Sequence, residues 1–265
     1  MILLEVLASM VLVVGAMLAV TTSLAVGPAR VRTGLSRWRA QVAETWRYVA
    51  VLAFVLVVNK YARVYGPRIS WVLDWNVTPF IHGLEGEFVV WVQSFATPTL
   101  TAVLGFIYLY GYAFLLIFPL VAYFLLDDSG AFKRTVAAYT LNYAIGVVLY
   151  ILFVSYGPRN VLPDMVSALL FTEYPSSKLI TSQVNANTNV FPSLHTSLAL
   201  TVALLSLLTR DRLPRWPPLA VPFALGVVVS TMYLGIHWAT DVVAGIALAA
   251  FSVVAAGAIV RRVEG

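Results

Sequence analysis

The sequence predicts an all-α, polytopic transmembrane helix bundle of about seven spans, and three observations carry that reading. Of 265 residues, 60% are hydrophobic and 11% are charged, against about half and about a quarter in a soluble domain. The mean hydropathy is +0.87, which leaves too little polar surface for a soluble particle of this size. Apolar runs long enough to cross roughly 30 Å of hydrocarbon as helices recur along the chain.

The runs fall near 2–26, 48–65, 98–126, 134–156, 192–208, 217–236 and 241–260. The first carries Glu5, lacks a basic stretch ahead of it and exceeds a signal-peptide core in length, so it reads as a retained span. Segment 68–95 is too polar to cross. It holds Trp71, Trp75, Phe80, Phe88, Trp91 and Phe95, rings that favour the membrane–water boundary. No repeat, linker or low-complexity tract divides the sequence, so it reads as one integral membrane unit. Residues 1–97 supply two spans and the aromatic segment, and residues 98–265 supply the other five spans.

Connections between the spans sort by charge. Arg30, Arg32, Arg37, Arg39, Arg47, Lys133, Arg134, Arg210, Arg212, Arg215, Arg261 and Arg262 fall on one side, which makes 12 of the 17 basic residues. Lys60, Arg63, Arg68, Arg159 and Lys178 fall on the other. An excess of Lys and Arg marks cytoplasmic loops, which predicts an outer N-terminus and a cytoplasmic C-terminus. The net charge of +5 is therefore a topology signal. No basic stripe interleaves with aromatics on a soluble face, so a nucleic-acid partner is not expected. The absence of cysteine removes disulfides, thiolate metal sites and cysteine nucleophiles together.

Polar residues where apolar ones are expected point to chemistry, because ionisable groups in spanning segments are costly. The outer loop 157–191 leads into Phe191-Pro192-Ser193-Leu194-His195. Pro192 suits a first helical turn, where its missing N–H has no intrahelical partner. The free N–H groups and positive dipole end of such a turn attract an anion, and Ser193 adds a hydroxyl, with His195 within reach. A second cluster runs from Ser230 to Asp241 and includes Thr231, His237 and Asp241. Four residues apart, His237 and Asp241 share a face if both are helical. A carboxylate beside an imidazole fixes its tautomer and raises its basicity. The charge-derived topology, set without reference to the histidines, brings His195 and His237 to the same outer boundary, with Arg159 and Lys178. The outer acids Asp74, Asp164, Glu85, Glu87 and Glu173 match no ligand spacing, so no metal site is predicted. His82 reads as interfacial, and Asp127-Asp128 as a solvated inner turn.

Through Pro192-Ser193-Leu194-His195 and the stretch from Tyr233 to Asp241, the chain resembles the type 2 phosphatidic acid phosphatase superfamily of membrane lipid phosphate phosphatases. That family carries P-S-x-H and then S-R-x5-H-x3-D. The resemblance implies a six-helix core here joined to an N-terminal helix, with the phosphatase/phosphotransferase-like catalytic core in 98–265. It further implies a double-histidine mechanism with no metal and no cofactor, in which His237 attacks phosphorus, His195 protonates the leaving oxygen and Asp241 orients His237.

Two positions depart from the family pattern. Thr231 stands where the family has its later arginine, and no K-x6-R-P precedes the P-S-x-H. Gly157-Pro158-Arg159, Val184-Asn185 and Phe191-Pro192-Ser193-Leu194-His195 instead resemble the branch containing inositol phosphorylceramide synthase. That likeness makes Arg159 the phosphate clamp, with Ser193 beside it and Lys178 as a second cation.

The expected partner is a lipid phosphate in the bilayer, met at the extracytoplasmic boundary. Cleavage to water is the leading expectation, and transfer of a phospho-headgroup to an alcohol is the runner-up. A transporter or a non-catalytic membrane protein is the alternative from another class. Against a transporter, the polar residues gather at one boundary, and matching Gly/Pro-broken helix pairs are absent.

Overall fold

A computed structural model describes residues 2–178 and 190–264. Among these the secondary structure is helical, with strand pairing limited to one isolated bridge between Asn76 and Val154. Helix α1 (Ile2–Thr21) ends in a π-turn at Thr22–Val26. Gly27, at φ 84°, then breaks the chain ahead of α2 (Pro28–Ser36), which opens on proline. Helix α3 (Trp38–Leu73) has 36 residues, about 54 Å at a rise of about 1.5 Å each. It extends well past both ends of the predicted run 48–65. Arg39, Gln41, Glu44 and Arg47 end the apolar stretch but are competent helix formers, so polarity stops the span without stopping the helix. The helix ends where Asp74 turns left-handed at φ 51°.

The aromatic segment folds into two short helices, α4 (Thr78–Glu85) and α5 (Phe88–Gln93). Trp75, Phe80, Phe88, Trp91 and Phe95 are all exposed. Helix α6 (Pro98–Phe106) begins with Pro98 behind an N-cap at Thr97, whose hydroxyl accepts from the Leu100 N–H. A π-turn at Ile107–Gly111 joins it to α7 (Tyr112–Phe124). Helix α8 (Gly130–Leu152) follows, and then two single turns, α9 (Pro158–Val161) and α10 (Leu169–Glu173), in the long loop that follows it. The chain closes with α11 (Leu194–Leu208), α12 (Pro217–Tyr233) and α13 (Ala239–Glu264).

All seven predicted runs are helical. Five stretches are long and apolar enough to cross a membrane: Leu4–Val26, Trp38–Gly66, Pro98–Phe124, Gly130–Leu152 and Ala239–Glu264. The other two, α11 and α12, have 15 and 17 residues. Each is shortened by the turn at one end, ahead of Leu194 in α11 and after Tyr233 in α12.

Helix α11 lies at the centre, packed against α7, α8, α12 and α13. The largest apolar cluster joins Phe114, Phe118, Leu198, Val202, Trp216 and Val227, with the Phe118 and Trp216 rings 4.3 Å apart. Gly245 lets α13 approach closely: a Cβ there would lie 2.6 Å from the Ser193 carbonyl oxygen. Helix α3 lies along α8. Few residues in the spans of α1 and α3 are buried, against half of those in α8, so their apolar faces are left for lipid.

Charged groups close the opposite end. Arg37 pairs with Asp127 at 2.9 Å, Arg212 with Asp128, and Lys133 with Glu264. The Gly130 N–H, helped by Arg212, holds the Asp128 carboxyl below its usual range. Asp127 and Asp128 are exposed but paired, more than a solvated turn.

Candidate active site

Ser193 is the N-cap of α11. Its hydroxyl oxygen accepts from the Thr196 N–H at 3.3 Å and its own O–H donates to the Thr196 hydroxyl at 3.0 Å. Pro192 therefore stands one residue ahead of the cap, outside the first turn where the sequence suggested it. The Phe191–Pro192 bond is cis. The Ser193 N–H donates to the Asp241 carbonyl at 3.0 Å, a direct link between the two motifs. One residue into the helix, His195 packs against two tyrosines: Tyr108 with ring centroids 4.8 Å apart and Tyr112 at 4.6 Å. These two flank the junction of the π-turn with α7, a distortion common at functional sites.

His237 is not helical, which corrects the expectation that it shares a helix face with Asp241. Gly235, at φ 69°, takes a conformation that side-chain-bearing residues rarely adopt and ends α12. The chain then loops, so that the Ile236 and His237 N–H groups both donate to the Thr231 carbonyl. Helix α13 starts at Ala239 with Asp241 in its first turn. Asp241 reaches back to accept the Trp238 N–H at 2.8 Å. This capping contact leaves the same oxygen, Oδ2, 3.5 Å from His237 Nδ1, long for a formed hydrogen bond. Nδ1 and the other carboxylate oxygen are both buried without a hydrogen-bond partner. Asp241 is fully buried and His237 is 3% exposed.

The two imidazoles face each other with centroids 6.1 Å apart and planes at 57°. Arg159, on α9, approaches from the loop. Its N–H donates to the Gly235 carbonyl at 3.1 Å, and its guanidinium lies 4.9 Å from the Phe171 ring centroid, a contact worth about 0.5–2 kcal/mol. Nη1 is buried with no hydrogen-bond partner. Burial draws this guanidinium below the usual arginine value, while the Tyr108 hydroxyl acts in the opposite sense. Arginine stays charged despite such a shift, so Nη1 is a cation positioned to receive an anion.

The remaining predicted residues separate. Lys178 is exposed in the loop between α10 and α11, beside residues 179–189. Val184 and Asn185 lie outside the described residues. Thr231 is fully buried and donates its hydroxyl proton within its own helix, to Val228 O at 2.7 Å. It supplies no cation in place of the family's arginine. His82 is half-buried and stacks on Trp238 with centroids 5.8 Å apart, so it is packed against the site as well as near the interface.

Several residues here escaped the sequence reading. Tyr108 and Tyr112 are four apart in an apolar span, and that helical spacing was a usable signal. Gln93 ties the aromatic segment to the site, donating to the Ser167 and Tyr233 carbonyls and accepting from the Ser167 N–H. Asn142 joins α8 to α11 through Ser197 and Thr201. Glu85, considered only as a metal ligand, accepts the Ala239 N–H at 2.8 Å and also that of Thr240. Nothing local in the sequence marks Gln93 or Glu85.

The family model of the PAP2 superfamily matches residues 82–255. It begins in the aromatic segment, upstream of the motif-bearing region near 98. No curated protein and no solved structure matches the chain. Because the match takes in well over half of the sequence, with both histidines, Asp241 and Arg159 inside it, the chain belongs to the PAP2 superfamily, a family of phosphatase-type phosphoesterases.

Proposed function

We propose that the chain cleaves the phosphate or pyrophosphate of an amphipathic lipid through a phosphohistidine on His237, without a metal ion, at the extracytoplasmic face of the membrane. The observation that carries this is the facing pair of histidines, 6.1 Å apart between centroids, with Asp241 behind His237. In-line phosphoryl transfer needs an attacking atom about 3 Å from phosphorus. On the opposite side it needs a proton donor about 2.8 Å from the leaving oxygen. Two rings this near each other bring an attacking and a proton-donating nitrogen to one region, and a phosphate entering between them parts the rings slightly.

Asp241 lies against Nδ1, so Nε2 of His237 attacks. The phosphorus–oxygen bond to the lipid breaks, and the departing oxygen takes its proton from His195. Water then attacks the phosphorus–nitrogen bond, giving its proton to His195, and phosphate leaves. Ser193 spends its own N–H and O–H on Asp241 and Thr196, so Arg159 Nη1 and the first turn of α11 that Ser193 caps meet the charge on the equatorial oxygens, the part of such reactions where proteins contribute most. Lys178 is the second candidate cation. The asymmetry of basic residues supports the outer location of the site and a cytoplasmic C-terminus.

Transfer to an alcohol, as in the inositol phosphorylceramide synthase-like branch, is the second reading. The buried, internally bonded Thr231 and the unpartnered Arg159 Nη1 favour it, because they match that branch's pattern. Purified protein in detergent, given 32P-labelled phosphatidic acid, phospholipids and polyprenyl phosphates in the presence of EDTA, tests both. Release of inorganic phosphate without added alcohol is the expected result, with His237→Ala slowing turnover by about a thousandfold or more. Label recovered in the phosphate ester of an added alcohol, with no inorganic phosphate released in its absence, selects transfer. Loss of activity with EDTA, or an active His237→Ala variant, overturns the proposal.

A further inference from the structure

The geometry points to Glu85 as a positioning residue for the His237 nucleophile, acting from a segment that carries neither motif. The assignment rests on the phosphohistidine reading above. Three consecutive N–H groups, those of Trp238, Ala239 and Thr240, open α13 directly after His237. Asp241 takes the first at 2.8 Å, and the Glu85 carboxylate takes the other two. A helix start normally leaves such donors unsatisfied, and its positive dipole end attracts anions. Here two protein carboxylates occupy it.

Two consequences follow for the reaction. First, His237 is held from both sides, by its own N–H on the Thr231 carbonyl and by the closed helix end after it. Without Glu85 the second anchor rests on Asp241 alone, the residue that must also orient the imidazole. Second, the helix end nearest the nucleophile is closed to substrate phosphate. The anion is left to Arg159 and the start of α11, beside His195.

Glu85 is itself braced. Its helix α4 buries Ile81 against Trp238, Val89 and Val166, and stacks His82 on the Trp238 ring. At its start, the Thr78 hydroxyl accepts the Tyr156 N–H at 3.0 Å, while the Tyr156 carbonyl accepts from Trp238 Nε1 at 2.8 Å. The brace therefore closes on the residue next to the nucleophile. Glu85 touches no reacting atom. Its effect is on where His237 sits.

The test compares full-length Glu85→Ala, Glu85→Gln and Glu87→Gln with the unsubstituted protein in detergent, using the most rapidly cleaved lipid of the 32P panel. Glu87 is an exposed acid on the same segment and controls for charge. The expected result is a fall in kcat of about tenfold or more for Glu85→Ala per folded molecule, with KM changed less than about twofold. Glu85→Gln retains one acceptor oxygen and falls less. In rapid-quench single turnovers, phosphorylation of His237 slows in proportion. If Glu85→Ala does not elute as a folded species, Glu85→Gln decides alone by the same split. Unchanged kcat in the folded variants, a rise in KM at constant kcat, or an equal loss in Glu87→Gln overturns the assignment. If the unsubstituted protein cleaves no panel lipid, the parent reading falls and this one with it. If it cleaves and His237→Ala does not, only the Glu85 variants bear on the assignment.

Discussion

Arg159 and Thr231 show how two polar residues near the same histidine take unlike parts. Thr231 satisfies its hydroxyl inside α12. Arg159 is half-buried and keeps one buried atom, Nη1, without a partner, a donor open to an arriving anion. Arg159→Leu should lower kcat/KM by about a hundredfold, whereas Thr231→Val should change it by less than about twofold. Steady-state kinetics on the cleaved lipid separate them, and equal losses would contradict the assignment. Both histidines, Asp241 and Arg159 stand out as candidates in the sequence because ionisable groups in apolar surroundings are costly. Glu85 and Gln93 could not, because their bonds reach across 154 and up to 140 positions of sequence.

At the scale of elements, the seven helices were readable and their ends were not. Apolar periodicity reports where a helix meets lipid or core, and α3 continues past that limit on polar helix formers. The break of α12 depended on one left-handed glycine, Gly235, which placed His237 in a loop instead of on a helix face. Close packing of α11 and α13 sets the two motifs against each other, with Ser193 N–H on the Asp241 carbonyl. A side chain at Gly245 would press into Ser193 O and Thr196. Gly245→Val should destabilise the protein by about 1–3 kcal/mol and depress kcat even where it remains folded. Thermal unfolding in detergent with parallel turnover checks this, and a variant equal to the unsubstituted protein in both would show that the close approach is not needed.

For the whole molecule, charge alone sets the proposed orientation, and the chain's lack of cysteine makes that orientation directly measurable. Asp164→Cys, on the exposed outer loop, should react with a membrane-impermeant maleimide in intact cells. Arg261→Cys, at the exposed end of α13, should react only after permeabilisation. The reverse pattern would put the site on the cytoplasmic leaflet. Helices α1 and α3 lie wholly outside the matched region and leave their apolar faces to lipid, so the proposed chemistry gathers in the helices they flank. The account as a whole stands on one covalent species. Rapid quenching of the protein with 32P-labelled lipid, followed by peptide mapping under alkaline conditions, should recover label on the His237 peptide. It should be absent from His237→Asn. Label on another residue, or steady turnover with no labelled histidine at any time point, would contradict it.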